Sequence, residues 1–315
     1  MMDLSKIKTI GNIGAGTMGH AIALQFAMHG YNVNVLDTSQ KALEVGQRHI
    51  KSDIETFTNA GILSESAEQI LNRLIFTTDY KTALANADFV IESVVEKMSV
   101  KKIVWQEAEK YVADNTILAT NTSGLSPSEI QTVIKKPDRF VVAHFWNPAQ
   151  LMTLVEVVTG HKTSQSTIDT TVHLMNHINK HAVALYKESL GFVGNRIQLA
   201  VLREAFHIVD EGIASPEAVD DIIKYSLGRR WSLVGPIASA DLGGLDVFSN
   251  ISPYLYADLS SEQGTDPTLN KMVSENKLGL KTGSGFFTWD GDAGKNIVKE
   301  RDESLLKLLK ADLEK

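Results

Sequence analysis

Two hydrophobic periods alternate along the first 186 residues. Short apolar runs bounded by Gly, Asn, Asp or Thr read as buried strands over residues 8–13, 31–37, 75–78, 89–95, 117–120 and 140–145. Between the early strands, apolar residues three and four apart read as helices over 20–30, 40–60, 64–74 and 97–112. This rhythm predicts an α/β fold built on a parallel, doubly wound sheet. A strand over 154–159, a helix over 164–179 and a strand over 182–186 extend it. From about residue 189 the strands stop: 192–212, 216–227, 238–259 and 267–277 all carry the helical period. A polar link over 290–296 leads to a last helix with Leu305, Leu306, Leu309 and Leu313 on one face. The pattern therefore predicts an α/β domain over 1–188 and an all-helical domain over 189–315.

The first strand runs into Gly14-Ala15-Gly16-Thr17-Met18-Gly19, and a helix follows. Gly14 permits the tight turn, Gly16 lets a pyrophosphate approach the backbone at the helix N-terminus, and Gly19 lets helix and sheet pack closely. Thr17 and Met18 belong to the same loop and share its assignment to a dinucleotide. Asp37 ends the next strand and is placed to bond a ribose 2′-hydroxyl and to repel a 2′-phosphate. Thr38, Ser39, Gln40 and Lys41 follow it with no arginine among them, so NAD is expected rather than NADP.

A second feature carries chemistry. His144 lies near the end of one apolar strand, in Ala143-His144-Phe145-Trp146-Asn147-Pro148, and Glu156 lies on the next. Across a sheet the two can meet, giving an imidazole with an orienting acid, which is a general base. Read singly, each could be a satisfied core residue. His173, His177 and His181 recur every fourth residue, but no carboxylate shares their register, so a polar helix face is expected rather than a metal site.

Taken together, the glycine loop, Asn121-Thr122-Ser123, the His144 segment, Glu156 and Gly191-Phe192-Val193-Gly194-Asn195-Arg196 resemble the 3-hydroxyacyl-CoA dehydrogenase family. Glu211 to Ser215, Gly243-Gly244-Leu245-Asp246 and Lys281 to Phe286 extend the likeness over nearly the whole chain. The resemblance implies NAD-dependent oxidation of a short 3-hydroxyacyl-CoA, of the 3-hydroxybutyryl-CoA type, with His144 as base held by Glu156. It further implies that Ser123 and Asn195 hold substrate oxygens and that Asn147 orients the histidine and meets the nicotinamide ribose. By the same match Glu96, Lys101, Ser123 and Lys281 are cofactor contacts, and the helical half forms a two-fold homodimer.

The chain departs from that pattern in two places. In CoA-using members a serine and a cluster of lysines on the helix after Asp37 meet the CoA, and the matching positions here are Asp53 and Ala60, with Lys51 the nearest basic residue. Gly228-Arg229-Arg230-Trp231 resembles instead the branch that oxidises free hydroxy acids such as carnitine and gulonate, where an arginine can clamp a carboxylate. The same pair could equally serve solvation or a subunit contact. A free 3-hydroxy carboxylate is therefore the alternative substrate, and an NAD-binding protein without activity is a third reading. The 6-phosphogluconate and 3-hydroxyisobutyrate dehydrogenases share the loop but use a catalytic lysine, so the pair at 144 and 156 speaks against them.

Composition narrows the setting. The formal charge of −7 disfavours nucleic acid and anionic membranes as partners. Zero cysteines exclude disulfides and thiolate sites. With no apolar run of membrane-spanning length and no signal-peptide core in the N-terminal segment, a soluble, cytoplasmic protein is expected.

Overall fold

The computed structural model describes residues 3–314, so the first two residues of the N-terminal segment lie outside it. The chain divides into two compact units, one of Met1–Asn195 with Arg301–Lys315 and one of Arg196–Glu300.

In the first unit the strands are β1 (Thr9–Ile13), β2 (Asn32–Leu36), β3 (Leu74–Thr77), β4 (Phe89–Glu92), β5 (Ile117–Thr120), β6 (Phe140–Phe145), β7 (Leu154–Thr159) and β8 (His181–Leu185). They form one sheet in the order β3-β2-β1-β4-β5-β6-β7-β8. The helices are α1 (Gly19–Met28), α2 (Gln40–Ala60), α3 (Ala67–Leu71), α4 (Tyr80–Leu84), α5 (Met98–Ala108), α6 (Pro127–Ile130) and α7 (Gln165–His177). Ile10, Phe26, Val33, Ile50, Phe89 and Leu174 fill the core on one face of the sheet. Leu84, Val90, Trp105, Leu118 and Phe140 fill it on the other. The order reverses between β1 and β4, and the carboxyl ends of strands at such a switch point are where a doubly wound sheet opens a ligand crevice.

The sheet is parallel, as expected, except at one pair. β6 and β7 run antiparallel, whereas β7 and β8 are parallel again. A parallel return needs a crossover of a dozen or more residues, and the chain between β6 and β7 is too short to supply one. The consequence is functional: in this register His144 stands directly opposite Glu156.

The second unit takes its helices from α8 (Gly194–Asp210), α9 (Pro216–Tyr225), α10 (Leu227–Val234), α11 (Pro236–Gly243), α12 (Leu245–Asp258), α13 (Pro267–Ser274) and the start of α14 (Ala293–Leu313). The single helix expected over 238–259 is interrupted, because Gly244 takes φ 92°, a left-handed region that glycine enters without steric cost. No hydrophobic side chain of this unit is buried; Tyr225, Leu233, Ile237, Leu242 and Tyr256 are all exposed. The last turns of α14 belong to the first compact unit, where Leu309 is buried with Leu305 and Leu306 beside it.

Candidate active site

The glycine loop has the geometry its spacing implies. Gly14 has φ 103°, and a Cβ there would lie 2.7 Å from the Ser93 carbonyl oxygen. A Cβ on Gly19 would overlap the carbonyl of Gly14. Around a Cβ on Gly16 there is open space, as a position facing a ligand requires. The loop borders a cavity of about 550 Å³ lined also by Thr17, Met18, Asp37, Tyr80 and Ser93. Asp37 Oδ2 accepts from the Ala15 amide at 2.9 Å, which aims the carboxylate into the cleft and leaves Oδ1 with only a 3.5 Å contact to the Thr38 hydroxyl. A cleft at the N-terminus of α1, a bare Gly16 and an acid at the far rim fit the adenosine half of NAD.

The histidine and glutamate meet as their register dictates. His144 Nδ1 lies 2.8 Å from Glu156 Oε2, and both side chains are buried. Glu156 is held from three further directions: Trp146 Nε1 donates to Oε2 at 3.3 Å, and the Val193 and Gly194 amides donate to Oε1 at 3.1 and 3.0 Å. Burial alone would push this carboxyl up, but the bonds from His144, Gly194 and Val193 outweigh it and hold the group below its ordinary value. It is therefore ionised near neutrality and only accepts. The Nδ1 hydrogen must then sit on the histidine, so in the neutral ring the lone pair lies on Nε2. Among the described residues Nε2 has no hydrogen-bond partner. Phe192, fully buried with φ 53°, sets its ring edge-on to the imidazole at 5.6 Å.

Ser123 and Asn195 are brought together, since Asn195 Nδ2 donates to the Ser123 carbonyl oxygen at 2.9 Å. Glu96 fastens the same segment, with Oε1 accepting from Thr122 Oγ1 at 2.5 Å and from the Ser123 amide at 2.7 Å. Lys101 is fully buried, with Nζ 2.6 Å from Glu92 Oε1 and 3.3 Å from Glu96 Oε2, so it braces Glu96. Asn147 is exposed in the turn after His144.

Lys281, Arg229 and Arg230 lie in the second unit. Lys281 lines an apolar cavity of about 570 Å³ there, beside the stacked rings of Phe206 and Phe286. Both arginines are exposed, and the Arg229 guanidinium lies 5.9 Å from the centre of the Tyr225 ring. In the first unit Asp53 is engaged by neighbours: Oδ2 is 3.3 Å from His20 Nε2, an ion-pair distance without hydrogen-bond alignment, and Oδ1 accepts from Gln150 Nε2 at 3.3 Å. Lys51 is exposed on α2, and the Ala60 carbonyl accepts from Lys310 Nζ of α14. His173 and His177 lie on α7 while His181 opens β8, so the three do not share one helix face.

Three contributors had no role assigned to them from the sequence. Asn121 Oδ1 accepts from the Phe145 amide at 2.9 Å, locking the end of β6 beside the histidine. Asn12 Nδ2 donates to the Gly14 carbonyl oxygen at 2.8 Å beneath the glycine loop. Glu92 anchors Lys101 and accepts from Thr120 Oγ1. For Asn12 and Glu92 a signal existed, because a polar residue in an otherwise fully buried strand must find a partner.

Residues 9–189 match the family model for the 3-hydroxyacyl-CoA dehydrogenase NAD binding domain, and residues 191–289 match the model for the C-terminal domain of the same family. The chain is 39% identical over 280 residues to a 3-hydroxybutyryl-CoA dehydrogenase of Clostridioides difficile, covering 88% of this chain and 98% of that protein. It is 35% identical over 301 residues to 5-formyl-3-hydroxy-2-methylpyridine 4-carboxylate 5-dehydrogenase of Mesorhizobium japonicum, covering 95% and 96% of the two. A crystal structure of a 5-dehydrogenase for the same pyridine carboxylic acid, described as an NAD+-dependent dismutase, superimposes with a TM-score of 0.91 over 97% of this chain and 98% of that one, at 32% identity. A (S)-3-hydroxybutyryl-CoA dehydrogenase from Ralstonia eutropha superimposes with a TM-score of 0.75 over 90% and 100%, at 34% identity. No helix among the described residues is long and apolar enough to cross a membrane. With both of its halves matched in order, the chain belongs to the 3-hydroxyacyl-CoA dehydrogenase family and is an NAD-dependent oxidoreductase acting on a hydroxylated substrate.

Proposed function

We propose that the chain oxidises the hydroxyl group of a small free carboxylate, with His144 as general base and Glu156 as its orienting partner. The observation that carries the free carboxylate is the match to the pyridine-carboxylate dehydrogenase, which spans almost the full chain at a TM-score of 0.91, while the family match supports the hydroxyl chemistry. Position 53 supports it. A carboxylate engaged by His20 and Gln150 is a poor seat for a phosphate-rich carrier. Arg229 and Arg230 of the second unit are each exposed and free of carboxylate ion pairs among the described residues, which leaves either guanidinium open to a carboxylate.

Ser123 and Asn195, tied to one another, hold the substrate oxygens. His144 takes the hydroxyl proton at Nε2, and Glu156 stabilises the imidazolium that results. Burial of the pair keeps competing water from solvating the charge as it forms. The chemistry that NAD supplies here is a two-electron acceptor for the carbon-bound hydrogen. Gly14, Gly16 and Asp37 would hold it, with Asn147 and Glu96 as further contacts within the first unit. The unburied apolar side chains of the second unit support a homodimer through those helices. Light scattering at micromolar concentration is expected to give twice the chain mass, and a monomeric mass removes that part.

A second reading, oxidation of 3-hydroxybutyryl-CoA, is favoured by the 39% identity to the clostridial enzyme. Measuring NAD reduction with free 3-hydroxy acids, hydroxylated aromatic carboxylates and 3-hydroxybutyryl-CoA separates the two. A free acid is expected to give the highest kcat/KM. Replacing the clamping arginine, by Arg229→Met or Arg230→Met, is expected to raise its KM by about 10- to 150-fold, the worth of a charged hydrogen bond of about 1.5–3 kcal/mol. A higher kcat/KM for the thioester, together with a salt-sensitive loss in Lys51→Glu, overturns the proposal in favour of the second reading.

A further inference from the structure

The turn that joins His144 to Glu156 is held from beneath by a side chain that the chemistry above does not use. Residues 146–153 leave β6 one residue after His144 and enter β7 two residues before Glu156. Displacing this turn therefore displaces both partners. Within it, the Pro148 carbonyl accepts from the Leu151 and Met152 amides at 3.0 and 2.9 Å, closing a turn whose Ala149 and Met152 carbonyls point inward. Those two inward carbonyls meet Lys180, which lies between α7 and β8. Its Nζ donates to Ala149 O at 2.8 Å and to Met152 O at 2.9 Å.

Lys180 is an unusual residue to spend on a turn. It is 4% exposed, and no carboxylate pairs with it among the described residues. A buried ammonium without a counter-ion is strongly disfavoured. Burial accordingly pushes the amine down to about 7. In the neutral form its two N–H groups match the two carbonyls one to one. A leucine or methionine would fill the same space without the desolvation cost, but it would leave both carbonyls unsatisfied in the interior.

We propose that Lys180 is a positioning residue of the active site: by clamping the Ala149 and Met152 carbonyls it fixes the turn that sets Trp146 and Asn147 beside His144. The functional half of the inference rests on His144 and Glu156 being the pair that moves the proton.

The test uses the full chain labelled with 5-fluorotryptophan, which gives a fluorine resonance for each of its 4 tryptophans. Trp146→Phe assigns the resonance in the turn, and Trp105, buried on the opposite face of the sheet, reports on the rest of the fold. In Lys180→Met the Trp146 resonance is expected to shift or broaden while the three others keep their positions. Turnover on whichever substrate serves the unmodified enzyme is expected to fall by about 10- to 100-fold, with KM for NAD within about twofold, because misplacement of a reacting group acts on kcat. Lys180→Arg, which keeps two donors, is expected to restore the Trp146 position. Should Lys180→Met not fold, Lys180→Gln, which keeps an amide donor, takes its place with the same readings. An unchanged Trp146 resonance in the folded variant overturns the clamp, as does an equal change at Trp105. A shifted Trp146 resonance with unchanged turnover leaves the clamp standing and overturns the role given to His144 and Glu156.

Discussion

Replacing Glu156 by Gln removes one charge and almost no volume, so its effects can be apportioned. In the native site Oε2 accepts from His144 and Trp146, and Oε1 accepts from the Val193 and Gly194 amides. A carboxamide has only one oxygen. If that oxygen stays on His144, the amide NH2 faces two backbone N–H groups, and each buried donor left unpaired costs about 1–3 kcal/mol. If it turns the other way, the NH2 faces the imidazole N–H instead. The first arrangement leaves the histidine tautomer in place, so the loss in rate is that of the charge alone: a hydrogen bond to a charged group is worth about 1.5–3 kcal/mol, or about 10- to 150-fold in kcat. The assay is steady-state NAD reduction at saturating NAD, with dye-binding calorimetry or circular dichroism to confirm folding and an independent titration of NAD affinity, which should not change. The double variant with His144→Gln should be no slower than His144→Gln alone, itself lowered by about 10²–10⁴-fold, because the two residues act as one unit. A folded Glu156→Gln enzyme with turnover within twofold of the unmodified protein would refute the assignment.

Asp37→Ala should weaken NAD binding and admit NADP, since the carboxylate that repels a 2′-phosphate is gone; equal use of both cofactors by the unmodified enzyme contradicts this. Gly19→Ala should cost about 1–3 kcal/mol of stability in urea titration and depress NAD affinity, because its Cβ meets the Gly14 backbone and not a side chain that can move aside. Lys180 binds a proton in the unfolded chain up to about pH 10.5 but only to about 7 in the fold, so its contribution is present above 10.5 and is lost as pH falls toward 7. The stability of the unmodified protein relative to Lys180→Met should thus rise between pH 7 and 10.5 by up to about 5 kcal/mol and stay flat below, and parallel pH curves for the two proteins would exclude it. Glu156 has the opposite dependence: its stabilisation is complete above its ordinary value of 4.5 and disappears as pH falls through its lower folded value, a loss that acid titration of Glu156→Gln should lack.

The strands, the glycine turn and the opposition of His144 to Glu156 were legible in the sequence because each depends on neighbours within a few residues. Period and spacing carry that information; the antiparallel sense of the β6–β7 return came only with the structure, although a link of eight residues is too short for a parallel crossover. The same local signals named Gly14, Gly16, Gly19 and Asp37. What the sequence withheld was decided by contacts between distant segments. The amides of Val193 and Gly194 reach Glu156 from 37 and 38 residues away, and no residue type announces a backbone donor. Nothing in the spacing marks Lys101 or Lys180 as interior, since lysine rarely is, yet one is buried against Glu92 and the other against two carbonyls. The leucine face of α14 was visible in its spacing, but the seat it fills in the first unit was not. Periodicity fixes which face of an element is apolar; which surface buries it, and which buried charge that surface can tolerate, are set only when the whole chain has closed around them.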